Sequence, residues 1–358
     1  MIVGSLFFLS KSDSLLLSYF HKLNVEGVVM RKYIIFILLL LCLINIPIYA
    51  NNQYVILGGD SVAIVLRYNG VLVTGRFPFE YQDKNLNPTS FEVKQNDIIV
   101  AVNNESIYSI IDFYDELDNY KEPYSVVPIT VSRKQKLLEV DLYVTYNESN
   151  DMYKTGLYLK DELNGVGTLT YYNPSNHSFA ALGHNIVNQS QANYVNQNGV
   201  LFYSSISSYS KSNTNHIGEK YASICSNEIG IITKSNNYGV YGNYTIDVSS
   251  KHLIEIADKK EVKIQEAYIY TVLEGTKVEK FTIQITEIHP NSQSKEKGIT
   301  FQITDKRLLE ATGGIIQGMS GSPIIQDGKL VGAVTHVLVN DPTRGYGIFI
   351  ENMLEAAK

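Results

Sequence analysis

From Tyr54 onward the chain runs in short β-branched and aromatic stretches divided by Gly, Asn and Ser, a rhythm that predicts strands. Val55-Ile56-Leu57, Gly58-Gly59 and Val62-Ala63-Ile64-Val65-Leu66 predict a strand, a glycine loop and a second strand. Asn69-Gly70 ahead of Val71-Leu72-Val73 predicts a hairpin. A strand is expected around 98–102, and 128–132 with 137–142 are expected to pair. Between them Ile110, Ile111, Tyr114 and Leu117 recur at helical spacing with acids interleaved, predicting an amphipathic helix. Beyond residue 148 the short apolar runs continue, for example at 165–171, 267–272 and 281–288. Only 251–258 and 351–357 carry a helical period there, and 185–215, rich in Asn, Gln and Ser, reads as loop. Strands at this spacing predict a mainly β architecture closing as a barrel or double barrel.

The start of the chain has another pattern. Arg31-Lys32 precedes a twelve-residue apolar run, 33–44, followed by a short stretch ending at Ala50. Two charges, a run shorter than the roughly 18–20 residues of a spanning helix, and a terminal small residue predict a signal peptide or short membrane anchor over 30–50. A charged n-region normally opens a chain, so 1–29 is expected to be a tail or gene-model extension. The organisation expected is therefore 1–29, the export segment 30–50, a small domain 51–147 and a larger β domain 148–358.

Composition narrows the function. The hydrophobic fraction of 44% supports ordinary cores. A net charge of −6 and the lack of a basic stripe argue against nucleic-acid partners. Cys42 and Cys225 are the only cysteines, and Cys42 falls in the export segment, so no internal disulfide is expected. The seven histidines are scattered, which gives no expectation of a metal or other cofactor.

The candidate chemistry centres on Gly318-Met319-Ser320-Gly321-Ser322-Pro323. A serine between two glycines and between apolar runs fits a tight turn that exposes a hydroxyl beside backbone donors, as acyl transfer requires. A Gly/Ser-rich β-turn without chemistry has the same composition. A serine nucleophile needs a base, and histidine titrates in the right range. Of His177, His184, His216, His252, His289 and His336, His184 stands out at the end of the apolar run Phe179-Ala180-Ala181-Leu182-Gly183. His336, on the strand after the serine turn, is its rival. For the orienting acid, Asp305 and Asp247 both end β-type stretches, and spacing alone leaves both open.

The order of elements in 54–147 resembles a bacterial PDZ domain. That family usually has Gly-Asp and Asn-Gly where this chain has Asn96-Asp97 and Asn103-Asn104, and Asn tolerates the left-handed turns these positions need. The resemblance implies that Leu57, Gly58, Gly59 and the strand containing Val62 and Ile64 receive a peptide end by strand addition. A small β-domain that merely packs on its neighbour is the alternative.

Longer motifs resemble the SpoIVB peptidases, the stage IV sporulation serine peptidases. They are Thr304-Asp305-Lys306-Arg307-Leu308-Leu309, Thr312-Gly313-Gly314 running through Ser320 to Pro323, Gly332-Ala333-Val334-Thr335-His336, Asn340-Asp341-Pro342 and Ala181-Leu182-Gly183-His184. The resemblance covers the chain from residue 31. It implies a chymotrypsin-like double β-barrel with His184, Asp305 and Ser320 as catalytic triad and the N–H groups of Gly318 and Ser320 as oxyanion hole. Met319 stands where many trypsin-like enzymes carry Asp. It further implies export into the space between the two membranes around the forespore, self-cleavage, and a membrane-associated sporulation regulator as protein substrate. A general envelope PDZ protease and a PDZ-mediated binding protein without proteolysis are the alternatives.

Overall fold

The computed structural model describes residues 53–81, 84–86, 92–186 and 195–358. The tail and export segment expected over 1–50 lie outside the described residues. Among the described residues no helix is long and apolar enough to cross a membrane.

The long strands Ser61–Arg76 and Leu157–Asn173 pair antiparallel over most of their length, from Arg76 opposite Leu157 to Ser61 opposite Thr168. Leu157–Asn173 also pairs with Ser178–Ala181, which pairs with Gly239–Tyr244, then Lys220–Asn236, then Val195–Tyr209. Val195–Tyr209 returns to Ser61–Arg76 and closes a six-stranded ring. Val62, Ile64 and Leu66 point into this first barrel and are fully buried. Each such burial contributes on the order of 1.5–3 kcal/mol.

A second ring joins Glu266–Val272, Val278–Ile288, Ile299–Ile303, Asp341–Phe349, Lys329–Leu338 and Pro323–Gln326, which returns to Glu266–Val272. Phe281, Phe301, Phe349 and a set of isoleucines fill it. Two closed six-stranded antiparallel barrels are consistent with the chymotrypsin-like architecture expected. Between them Tyr54–Leu57 pairs with Leu253–Ile256, which lies parallel to the start of Lys329–Leu338. Val55, Tyr171, Ile254, Leu330 and Met353 of the C-terminal helix Ile350–Ala357 seal that seam.

The small domain differs from expectation in its boundaries. Its core runs from Val71 to Leu157, built on Ile98–Val102, Ser125–Arg133, Lys136–Asn147 and the helix Ile110–Leu117. Residues 54–57 belong to the seam and 61–68 to the first barrel instead, so the small unit is an insertion carried on two continuous strands. The hairpin expected at Asn69-Gly70 does not form. Between the pairs Leu72–Lys160 and Arg67–Glu162, four residues on one strand face one on the other, a bulge at which the strand passes from barrel to insertion. Gly70, at φ +128°, lets Ile99 O approach to within 2.4 Å of where a Cβ would stand.

Within the insertion the helix is capped as a capping box, Ser109 accepting from the Asp112 N–H and Asp112 accepting in return. Asn96, Asn103 and Asn104 take positive φ of 70°, 49° and 68°, as the asparagine turns require.

The residues expected to receive a peptide are elsewhere and otherwise engaged. Gly58 and Gly59 donate to Thr170 O and Leu169 O. Leu57 pairs within the seam, and Val62 and Ile64 sit in a strand hydrogen-bonded on both edges. Strand addition needs a free edge, so the groove reading of Leu57, Gly58, Gly59, Val62 and Ile64 is corrected.

Two further elements differ. Residues 253–256 form a strand rather than a helix, because Leu253, Ile254 and Glu255 are claimed by pairing with 54–56. Residues 195–209, read as loop, form a strand that pairs with 220–232 from Gly199 to Tyr209 and with 62–68 as far as Tyr203.

Candidate active site

The helix Lys306–Thr312 leads into the serine turn. It ends on Gly313 in the left-handed region at φ +69°, and Gly314 follows at φ +146°. Gly318 and Gly321 have φ of +93° and +92°, so the two glycines around Ser320 are conformational requirements. A Cβ on Gly321 would lie 2.0 Å from Thr168 O. Met319 is fully buried in the second barrel's core, and Ser322, also fully buried, donates its N–H to Met319 O. Ser320 between them is half-buried, in a turn bonded by both barrels at their junction.

The first barrel grips this turn through its strand Leu157–Asn173. The Thr168 N–H donates to Ser320 O at 2.9 Å and the Thr168 hydroxyl to Gly318 O at 2.9 Å. The Thr170 hydroxyl donates to Gly321 O at 2.8 Å. From the other side Gly321 N–H donates to Val334 O, and Ser320 Oγ donates to Thr335 O at 2.9 Å. The carbonyls of the turn are thus held. The N–H groups of Gly318 and Ser320 donate to no other described residue. These are the two donors expected to bind an oxyanion.

His184 reaches the same junction by a strained turn. Strand Ser178–Ala181 is followed by Leu182 at φ +71° and Gly183 at φ +70°. A leucine in the left-handed region costs on the order of 1–2 kcal/mol, a strain that clusters at functional sites. Leu182 packs against Gly167, where a Cβ would sit 2.1 Å from its Cδ2, and Gly183 lies against Thr335 and Ile348. The His184 ring is half-buried, and its Nδ1 lies 2.8 Å from Asn185 O. A carbonyl only accepts, so Nδ1 carries the proton and neutral His184 presents the lone pair of Nε2. Burial lowers its pKa below the ordinary histidine value, and the Asn185 carbonyl offsets part of that effect.

His336, the rival base, stands beside it with ring centroids 5.0 Å apart. Partial burial, then the charges of His184 and Lys297, lower its pKa, while Glu296 works in the opposite direction. It keeps a solvent-exposed edge. Both imidazoles therefore share one corner with Thr335, the residue whose carbonyl holds the Ser320 hydroxyl.

Asp305 is not brought to His184. Its carboxylate accepts from the Arg307 and Leu308 N–H groups as N-cap of the helix Lys306–Thr312, from Thr282 N–H, and from the Arg307 guanidinium at 3.1 Å. These bonds and Arg307 hold its pKa below the usual carboxylate value against the opposing effect of burial. The orienting partner on Nδ1 of His184 is the Asn185 carbonyl. Asp247, the other candidate, is exposed and caps a turn through Ser249 N–H. Among the described residues no cluster of His, Cys, Asp and Glu could hold a metal ion.

The sequence reading missed Thr168, Thr170 and Thr335, which are buried and hold the serine turn or the loop beside it. In the sequence they look like ordinary strand residues. Only a threonine repeated at i and i+2 on a glycine-rich strand hints that one face bonds to another chain segment.

The profile of the family described as SpoIVB peptidase S55 matches residues 151–354. No curated protein matches. Among solved structures, the Rv3671c protease in an inactive form is 14% identical with a TM-score of 0.30, over 53% of this chain and 82% of that one. A serine-to-alanine variant of Rv3671c from M. tuberculosis H37Rv, also an inactive form, is 12% identical with a TM-score of 0.29, over 53% and 80%.

Proposed function

The chain belongs to the SpoIVB peptidase S55 family and is a serine peptidase, and on that premise we propose that Ser320 is its nucleophile and His184 its general base. The observation that carries this reading is the pairing of a spare-donor turn with an imidazole whose Nδ1 proton is already committed to Asn185 O. Ser320 Oγ leaves Thr335 O by a χ1 rotation and attacks a peptide carbonyl carbon as its proton passes to His184 Nε2. The tetrahedral oxyanion binds the N–H groups of Gly318 and Ser320. His184 returns the proton to the departing amine as the C–N bond breaks. Water then attacks the acyl-enzyme, again through His184 as base.

No acid enters this scheme. The Asn185 carbonyl fixes the tautomer, while Asp305 shapes the helix that leads into the turn. His336 stands beside His184 as a second imidazole, 5.0 Å away between ring centroids.

The family description supports a role in sporulation. We read the physiological substrates as the chain itself and a membrane-associated sporulation regulator, reached after export by way of segment 30–50 to the space between the forespore membranes. The inserted unit is read as PDZ-like on its capped helix and antiparallel strands, its peptide-receiving edge to be sought within 71–157. Ser320→Ala and His184→Ala in the full-length chain are each expected to abolish self-cleavage and hydrolysis of an unfolded protein substrate. Unchanged hydrolysis by either folded variant would sink the assignment.

A further inference from the structure

Lys220 opens the strand Lys220–Asn236 and is 5% exposed. It belongs to none of the ion pairs among the described residues. Burial alone pushes its amine down to about 7. An amine without a carboxylate in the interior is costly, so its acceptors matter. They are Thr271 Oγ1 at 2.8 Å, on the second barrel, and Gly318 O at 3.3 Å, in the serine turn. The stem of the side chain lies under Gly318, where a Cβ would meet Lys220 Cδ at 2.9 Å.

The backbone of Lys220 grips the same place. Its N–H donates to Gln317 O at 3.1 Å, and Gln317 N–H donates to Gly218 O. In a trans peptide the C=O and the following N–H point in opposite directions. Holding Gln317 O toward Lys220 therefore turns the Gly318 N–H away from Lys220. Holding Gly318 O with the Lys220 amine and the Thr168 hydroxyl turns the Met319 N–H toward Ile316 O, to which it donates at 3.1 Å. Both peptide units beside Gly318 are pinned at their carbonyls. Glycine has the rotational freedom to lose that orientation when unpinned.

We propose that Lys220 is the positioning residue of the oxyanion hole, its N–H and amine fixing the two peptide units that flank Gly318 so that the Gly318 N–H faces the reacting carbonyl. The proposal rests on Ser320 as nucleophile. It differs from a structural role in its kinetic signature. Substrate contacts are untouched, so the loss falls on the rate of the covalent step.

The test is phosphonylation of the full-length chain by an alkyl fluorophosphonate. Oγ–P forms and P–F breaks, fluoride leaves, and the serine proton passes to the base. Lys220→Met, which keeps the stem and removes the amine, is expected to lower the limiting labelling rate about 10- to 100-fold, below the roughly 100- to 1000-fold effect of deleting a direct oxyanion donor. The half-saturating probe concentration should stay unchanged. A structural loss would reduce the labelled fraction and leave the rate constant of folded molecules as it was. If Lys220→Met does not fold, Thr271→Val, which removes the amine's other anchor, carries the test with an expected fall of several-fold. A wild-type limiting rate in folded Lys220→Met, or in Thr271→Val where Lys220→Met does not fold, overturns the proposal. The Ser320→Ala control separates the two readings, since labelling that survives there overturns the nucleophile assignment instead.

Discussion

The two barrels have the same strand number and the same antiparallel closure, but they are filled and used differently. The first is rich in tyrosine hydroxyls. Tyr172 and Tyr203 share a hydrogen bond of 3.1 Å, Tyr172 meets Tyr244 edge-on, and Lys251 lies over both Tyr172 and Tyr203 while paired to Asp60. Two of its strands run on into the insertion. The second is aliphatic and phenylalanine-lined, and it buries Met319 beside the nucleophile. The difference suggests a division of labour. A close-packed apolar barrel holds the serine turn, in keeping with the low compressibility of such cores. The first barrel, whose aliphatic core also carries bonded tyrosine hydroxyls, supplies the histidine and the threonine grip across the seam.

That contrast can be broken most sharply by changing one buried aromatic side chain in each barrel. Phe301→Ala, in the second core, is expected to cost about 3–5 kcal/mol and to take activity with it. Tyr172→Phe deletes only a hydroxyl from a hydrogen-bonded pair in the first core and is expected to cost about 1 kcal/mol. Denaturant unfolding of the two variants checks the ranking, and equal losses would erase the distinction drawn here.

Asp305 sharpens the same contrast, because it ties the second barrel's helix rather than the first barrel's histidine. Asn caps a helix as well as Asp does, whereas Ala loses about 1 kcal/mol. Asp305→Ala should therefore destabilise by about 1 kcal/mol or more, given the lost Arg307 pair. Asp305→Asn should keep kcat within roughly tenfold of the parent. An orienting acid of a catalytic triad behaves otherwise, losing roughly 10⁴ in kcat on the same acid-to-amide change. Steady-state kinetics of the two variants decide between them.

The smallest effect expected is in the pH profile. The general base must be neutral, and burial lowers the His184 pKa. Activity is then lost only as pH falls through a value below the ordinary histidine pKa of about 6.5, so more than half the plateau kcat/KM remains at about pH 6.5. A carboxylate bonded to His184 would raise that pKa and move the acid limb upward. A midpoint above 6.5 would restore an acid to the site.

Much of this was legible along the chain because it is local. The strand rhythm, the capped helix Ile110–Leu117 and the asparagine turns are set by near neighbours. So are the glycines around Ser320 and the Leu182-Gly183 turn before His184. Nonlocal pairing hid the rest. Residues 54–68 read as the start of a small domain, and only their partners at 162–173, 195–203 and 253–255 assign them to the first barrel and the seam. Leu253–Ile256 carries apolar positions that suit a helix or a strand alike, and its pairing with Tyr54–Leu57 chooses. The helix Lys306–Thr312 is seven residues long, too short for a clear period, though Asp305 before it and Gly313 after it are its cap residues. The residues alone leave Asp305 and Asp247 open as the acid, and only the family resemblance favours Asp305, whose carboxylate caps that helix.

The central claim is that Ser320, and no other serine, is the activated hydroxyl. Intact mass and peptide mapping after exposure of the full-length chain to an alkyl fluorophosphonate test it most directly. One adduct per chain is expected, on Ser320, and none in Ser320→Ala or His184→Ala. An adduct on Ser322, or one that persists in either variant, would contradict the account.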